Sequence, residues 1–394
     1  MQLTQQTVIR RTDSRYRELL RLCHLSKNLY NAGLYRIRQH YFDTGKYLDY
    51  FSLYQLLRKE ENPDLRALPS QTAQQVLKQI DRDFRAFFSL VKKKDRKCRI
   101  PNYKDKDGLN LVVYTNQQIR KRPLSKGILS VPGLDCTFQT NLSSIDLVRL
   151  VPRTNQIVLE VVYTVTEKDL LPDNGKYMAI DLGVDNLATV VFSDAKRPVV
   201  LNGRILKSIN QYYNKKRSEF QAKKATSKMN RLTCKRNSKV KDQLHKVSRQ
   251  IVNHAVSNQY NTVVVGYNRE WKQDTRLGTQ NNQNFVSIPH YRLVQMLDYK
   301  CKLEGIRLVL VEEAYTSKAS ALDRDEIPSI KEKNPTFSGT RKHRGLYVTG
   351  SGQTVNADVN GSLNILRKVA GDEIEILSPA SRGCVFHPVR ISLD

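Results

Sequence analysis

At 394 residues the chain exceeds what one hydrophobic core usually organises, so two or three structural units are expected, with ample capacity to bury an enzyme core. Lys and Arg total 66 against 38 Asp and Glu, a formal +28 with pI near 9.8, and such an excess calls for a polyanionic partner, nucleic acid before any other. No apolar run approaches the roughly 20 residues of a spanning helix and no signal-peptide pattern follows Met1, so the expectation is a soluble, intracellular protein with no membrane partner.

Residues 1–10 alternate loosely between apolar and polar, as a strand would. Over residues 14–41, Leu19, Leu20, Leu22, Leu25, Leu29 and Leu34 recur at mostly helical intervals, with Arg15, Arg17, Arg21, Lys27 and Arg36 between them, which predicts an amphipathic helix with a basic side. A second helix is expected after Leu68-Pro69-Ser70, capped by Ser70 and burying Val76, Leu77, Ile80, Phe84, Phe87, Phe88 and Val91. Residues 92–106 read as a cationic loop, poorly ordered unless it meets a phosphate backbone. The short β-rich runs 111–114, 127–131, 145–150 and 157–165 predict a small antiparallel barrel or sandwich, and the Pro/Asp/Asn/Gly connector 166–176 opens a second domain.

In that second domain, residues 176–192 read as a buried strand ending in Asp181, a turn at Gly183 and another strand. A carboxylate among Met178, Ile180 and Leu182 is costly unless paired or metal-bound. Near the C-terminus, Asp358 opens a helix whose apolar face is Val359, Leu363 and Leu366. The positive end of the helix dipole keeps an acid there ionised and able to hold a cation, although Asn356 or Asp358 could equally be an ordinary N-cap.

Thirteen Lys and Arg fall between Lys215 and Arg249, with only Glu219 and Asp242 opposing them. Like charges at i,i+4 destabilise an unpartnered helix, so this stretch is expected to bind a nucleic-acid backbone through Lys215, Lys216, Arg217, Lys223, Lys224, Lys228, Arg231, Lys235, Arg236 and Lys239. Trp271 is a packing anchor or a base-stacking platform, residues 280–284 a polar loop, and 289–304 a helix. The seven histidines show no metal or nucleophile–base spacing. Six cysteines, at 23, 98, 136, 234, 301 and 384, form no C-x-x-C pair, which argues against both a disulfide framework and a Cys-based zinc site.

The segments Ile180-Asp181-Leu-Gly-Val-Asp-Asn-Leu-Ala-Thr and Asn356-Ala-Asp358-Val-Asn-Gly-Ser-Leu-Asn-Ile-Leu together resemble the first and third RuvC motifs of TnpB, the insertion-sequence nuclease family regarded as ancestral to type V CRISPR effectors. The resemblance extends to Leu68-Pro-Ser-Gln-Thr-Ala-Gln-Gln-Val, Pro101-Asn-Tyr-Lys and Ala314-Tyr-Thr-Ser. It implies an RNase H-like fold in which two Asp and one Glu bind two Mg²⁺ ions, roughly 3.5–4 Å apart, for which Mn²⁺ could substitute, one ion activating water and one stabilising the leaving oxygen.

The chain departs from the family in two places. The second RuvC motif of the family is a strand ending in Glu, but here Thr262-Val-Val-Val-Gly266 ends in glycine; the next strand instead ends in Glu312-Glu313, where relatives often carry Asp-Pro or Asn-Pro. In the RNase H arrangement these strands are neighbours, so a Glu could cross over Gly266 to the metals, with Glu313 favoured over Glu312. Asp323 and Asp325 are further candidates, or an exposed acidic loop. The four-Cys zinc ribbon of many relatives is also missing between residues 318 and 356, so no structural zinc is predicted. Phe337, Leu346 and Tyr347 with Gly339, Gly345, Gly350 and Gly352 suggest a metal-free hairpin-like insert that offers Lys342, His343 and Arg344 to phosphate.

The resemblance thus implies an α/β plus α+β protein: a β-barrel from residues 1–12 and 95–172, a helical recognition insert at 13–94, a RuvC domain at 173–370 containing the basic segment 205–260 and the Cys-free insert 318–355, and a tail at 371–394. The implied activity is RNA-guided cleavage of double-stranded DNA beside a short flanking motif, by a prokaryotic nuclease whose guide is a noncoding RNA from the transposon end. The chain is expected to act as a monomer, in the cytoplasm or on the nucleoid. Two other readings share the same features: a nuclease-dead, RNA-guided DNA-binding repressor, and a DDE-type transposase that joins strands without RNA.

Overall fold

The computed structural model describes residues 1–94, 97–268, 288–328, 335–343 and 345–392, which divide into two units, Met1–Val165 and Thr166–Asp394. In the first, strand β1 (Gln2–Arg10) leads into helices α1 (Tyr16–Thr44), α2 (Tyr50–Lys59), α3 (Pro63–Arg66) and α4 (Ser70–Lys92). The chain then returns through β2 (Val112–Thr115), α5 (Lys121–Leu124), β3 (Ile128–Leu129), β4 (Phe138–Gln139), β5 (Leu147–Arg153) and β6 (Gln156–Thr164). Leu19, Leu22, Leu29, Leu34 and Ile37 of α1 share one core with Val76, Leu77, Ile80 and Phe84 of α4. The two helices approach closely at Gly33, where a Cβ would stand 2.7 Å from Ile80 Cδ1.

This unit differs from the sequence expectation in three ways. The barrel or sandwich is an open antiparallel sheet of order β1-β6-β5-β2 together with a separate two-stranded ribbon, β3–β4. Pro132 and Gly133 follow β3 closely, and the two-residue strands of the ribbon are too short to close a barrel. Ser70 is not the cap of α4: Pro69 holds the N-cap position and Ser70 is already helical. The cationic loop, in its described part, is fastened to α1 rather than loose. Asn31 brackets Lys104 with two 2.9 Å hydrogen bonds, Lys27 Nζ donates to the Lys106 carbonyl at 2.8 Å, and the Arg38 guanidinium lies 4.7 Å from the Tyr103 ring centre.

The second unit is built on a six-stranded sheet. Strands β7 (Tyr177–Leu182), β8 (Asn186–Phe192) and β9 (Val199–Asn202) form an antiparallel meander, while β10 (Thr262–Gly266) and β11 (Arg307–Val311) add in parallel on the other side of β7, in the order β11-β10-β7-β8-β9. A basic hairpin of α6 (Arg204–Ala222) and α7 (Thr226–Ser257) separates β9 from β10, and α8 (His290–Glu304) precedes β11. After β11 come β12 (Thr340–His343), β13 (Leu346–Val348) and β14 (Thr354–Asn356), which pair as a small antiparallel sheet, and then α9 (Ala357–Ala370).

Strand side chains alternate, and this decides what each face of the sheet holds. Met178, Ile180, Val263 and Val265 pack with Val240, Leu244, Val247 and Ile251 of α7 and Leu293 and Leu297 of α8. Ala179, Val191 and Val264 turn the other way, onto Val359, Leu363, Ile365 and Leu366 of α9. Asp181 and Gly266, two residues beyond Ala179 and Val264, therefore lie on the α9 side. The tail is part of this unit: Ile374, Ile376, Leu377 and Val385 join the α9 core, and β15 (Val389–Ile391) pairs in parallel with β9 as a sixth strand. Among the described residues no helix is long and apolar enough to cross a membrane.

Candidate active site

Asp181 closes the apolar part of β7 and stands in register with Thr189 of β8. It keeps partial access to solvent although protein surrounds its carboxyl closely. One wall is Gly361 of α9, where an added Cβ would lie 2.9 Å from Asp181 Oδ2. A glycine inside a helix costs roughly 0.5–1 kcal/mol relative to alanine, and here that cost lets α9 approach the acid. Asp358 reaches the same place from the first turn of α9. The cap of that helix is Asn356, whose Oδ1 accepts from the N–H groups of Asp358 at 3.0 Å and Val359 at 3.2 Å, so the Asp358 carboxylate is free for other partners. Those partners are Asn186 Nδ2, 2.6 Å from Oδ2, and Arg341 on β12, 3.4 Å from Oδ1.

The third acid arrives from the end of β11. Gly266 is opposite Val311, and two residues further Glu313 folds its side chain over the glycine: a Cβ at 266 would stand 2.6 Å from Glu313 Oε1 and 2.9 Å from its Cγ. Lys368 of α9 grips the backbone on either side, donating to the carbonyls of Glu312 at 2.7 Å and Ala314 at 3.0 Å. Thr316 closes the turn with Oγ1 donating to the Glu313 carbonyl at 2.9 Å. Glu312 itself points outward and is exposed.

Glu313 Oε1 is buried without a hydrogen-bond partner. Burial, followed by the charge of Asp181, pushes Glu313 well above the usual carboxylate range, with Lys368 opposing. Burial and then Asp358 push Asp181 up as well, against Arg341. Asp181 is thus linked through its charge to both other acids. Such a set can share protons or accept a cation. Among the described residues no three acidic, His or Cys side chains already stand as a formed metal site.

Asp323 and Asp325 lie away from this chemistry and are not an exposed acidic loop. Asp323 accepts from Ser320 Oγ at 2.5 Å, Gly350 N at 2.6 Å and Ser338 Oγ at 3.1 Å; Asp325 accepts from the N–H groups of Ser320 at 2.8 Å and Ser338 at 3.1 Å. These bonds, together with Tyr347 Oη donating to the Lys318 carbonyl at 2.7 Å, tie the β12–β14 insert together. The insert is fastened to α9 by a buried polar stripe: Asn360 and Asn364 donate to the Ala319 carbonyl and Arg367 to that of Asp325.

Of the cations singled out in the sequence, Lys215, Arg217, Lys223, Lys224, Lys228, Arg231, Lys235 and Lys239 are exposed on the α6–α7 hairpin, and Lys342 is exposed on β12. Lys216 pairs with Glu219 at 2.8 Å. Arg236 is turned into the hairpin, its Nε 2.8 Å from Asn210 Oδ1 and its guanidinium 5.6 Å from the Tyr213 ring centre. Arg344, Trp271 and residues 280–284 lie outside the described residues. Sequence reasoning missed Asn186, Arg341, Lys368 and the Asn360/Asn364/Arg367 stripe. Only the last had a signal, polar residues at i, i+4 and i+7 of an otherwise apolar helix.

A family model described as a probable transposase, OrfB_IS605, matches residues 160–272, and a Cas12f1-like TNB domain matches residues 290–365. The TnpB-like protein ORF457 of Acidianus two-tailed virus is 24% identical over 419 residues, which cover 93% of this chain and 86% of that protein. Among solved structures, the cryo-EM structure of the Cas12f1–sgRNA–target DNA complex is similar at 16% identity and a TM-score of 0.38, covering 92% of this chain and 98% of that one. The CRISPR-Cas12f ternary complex has the same identity and TM-score, with 89% and 80% covered. Two family models thus match in succession between residues 160 and 365, and a viral TnpB-like relative aligns along nearly the whole chain, so the chain is similar to TnpB-family proteins.

Proposed function

We propose that the chain is an RNA-guided DNA endonuclease of transposon origin, with an RNase H-like domain that hydrolyses phosphodiesters at Asp181, Glu313 and Asp358. The observation that carries this reading is the Glu313 side chain lying over Gly266 with a buried, unpartnered oxygen beside Asp181. A buried acid without a donor is costly, and acids raised by burial and then by a neighbour's charge fit a divalent cation, with Mg²⁺ the proposed ion and Mn²⁺ a substitute. When bound, such ions supply an activated water and charge stabilisation at the leaving oxygen. The three carboxylates hold them, and Lys368 keeps the Glu313 turn in place. Guide pairing reads the target, while the helical segment 13–94 and the surrounding strands recognise a short flanking motif and the heteroduplex shape.

The test is to purify the protein with co-expressed RNA from the transposon end and incubate it with matched duplex, with and without Mg²⁺. Cleavage that needs both RNA and Mg²⁺ is expected. Guided binding without cleavage would make the chain a repressor, and RNA-independent strand joining would make it a transposase.

The α6–α7 hairpin is proposed to follow a nucleic-acid backbone. Replacing Lys228, Arg231, Lys235 and Lys239 with Ala is expected to flatten the dependence of log affinity on log salt by roughly 0.7–0.9 for each phosphate no longer neutralised, about 3 for all four. Fluorescence anisotropy at several NaCl concentrations reads this slope; an unchanged slope removes the hairpin from the interface.

A further inference from the structure

The tail strand β15 carries a cation toward the carboxylates. Arg390 Nη1 donates to Asn186 Oδ1 at 3.1 Å, and Asn186 Nδ2 donates to Asp358 Oδ2 at 2.6 Å. Asn186 is buried at the start of β8. Each contact dictates the other. An amide has one accepting and one donating end, a guanidinium only donates and a carboxylate only accepts. Turned over, the amide would set its oxygen against Asp358 and its NH₂ against Arg390, so a single orientation survives while Arg390 is present.

We propose that Arg390 is a positioning residue for divalent-cation binding: through Asn186 it fixes the orientation of the Asp358 carboxylate by Oδ2, so that Oδ1, 3.4 Å from Arg341, is the oxygen that would exchange its contact for the cation. Docking of the strand does not depend on it. The β15 backbone pairs with β9, Val389 N donates to the Pro198 carbonyl at 2.8 Å, Asn202 Nδ2 to Ser392 Oγ at 3.1 Å and Arg197 Nε to the His387 carbonyl at 2.8 Å, while Val385 is fully buried. The tail residues after Gly371 thereby acquire a role in the site, one that rests on the nuclease reading for its link to cleavage but not for its link to cation binding.

Mn²⁺ binding to the full-length protein, followed by electron paramagnetic resonance, tests the inference. Outer partners of a metal ligand typically contribute about 10–100-fold in affinity. Asn186→Ala is expected to weaken Mn²⁺ binding within that range and Arg390→Met by about 10-fold, the lower end of it. The double variant should be no more than about twofold weaker than Asn186→Ala alone, because Arg390 acts only through the amide. Arg390→Lys, which keeps a donor, should recover most of the loss, and the metal-free unfolding temperature should not move. Independent, multiplying losses in the double variant, or wild-type Mn²⁺ affinity in Arg390→Met, would overturn the proposal. A wild-type protein that binds no Mn²⁺ overturns the nuclease reading along with it. One that binds Mn²⁺ in the expected pattern but cuts no DNA overturns the nuclease reading alone.

Discussion

Glu313→Gln is expected to abolish cation-dependent cleavage, with a loss above the 10–100-fold typical of outer partners to a metal ligand, whereas Glu312→Gln should stay within about twofold of wild type. The substitution keeps volume and shape and removes only the charge. Glu313 puts that charge beside Asp181 under buried conditions, while Glu312 faces outward and contributes its backbone carbonyl to Lys368. Guide and target binding should survive in both variants. A thermodynamic signature accompanies the kinetic one. The folded-state pKa of Glu313 is raised, so above the ordinary carboxylate range the metal-free folded protein binds more protons than the unfolded chain, and its stability falls as pH rises toward the raised value. Glu313→Gln removes that contribution. In EDTA, the unfolding temperature of the variant should therefore decline less with rising pH than that of wild type. Normal cutting by both glutamine variants would end the assignment of a third acid to this turn.

The acids are legible in the sequence because each breaks a local pattern. Asp181 interrupts an apolar strand, Asp358 begins an apolar helix, and Gly266 stands where a family strand normally ends in Glu. Strand alternation then puts Asp181 and Gly266 on one face without reference to any other part of the chain. What surrounds the acids is not legible. Asn186 meets Asp358 across 172 residues of sequence and Arg390 meets Asn186 across 204, and no periodicity encodes such pairs. Charge density is an incomplete guide as well: Lys239 and Arg236 sit in the same basic run, yet one is exposed and the other is held inside the hairpin by Asn210 and Tyr213. Helix α2 leaves little signal because its short amphipathic stretch buries only Leu53 and Leu57, and the last strand leaves less because three residues, Val389–Ile391, are too few to show alternation.

Moving the acid back to the strand should restore a working site. Gly266→Glu alone is expected to be inactive, since its Cβ would stand 2.6 Å from Glu313 Oε1 and 2.4 Å from Ile365 Cδ1. Both neighbours are the far ends of flexible side chains, so the protein can fold, but Glu313 must leave the place it fills. Glu313→Ala alone vacates that place and lacks the acid. In the double variant Gly266→Glu/Glu313→Ala the space opened by removing the Glu313 carboxyl receives a new carboxyl that starts from β10, on the same face of the sheet as Asp181. Ile365→Val can be added to remove the Cδ1 clash; Ile-to-Val changes cost about 0.5–1.5 kcal/mol, small beside the activity at stake. Cleavage in the double or triple variant should exceed that of either single variant by at least about 10-fold, and Mn²⁺ affinity should rise with it. The comparison separates loss of a ligand from loss of fold, because the same two positions are altered in the rescued protein as in the dead ones. A double variant that folds, binds RNA and still neither binds Mn²⁺ nor cuts would show that residue 313 is not standing in for residue 266.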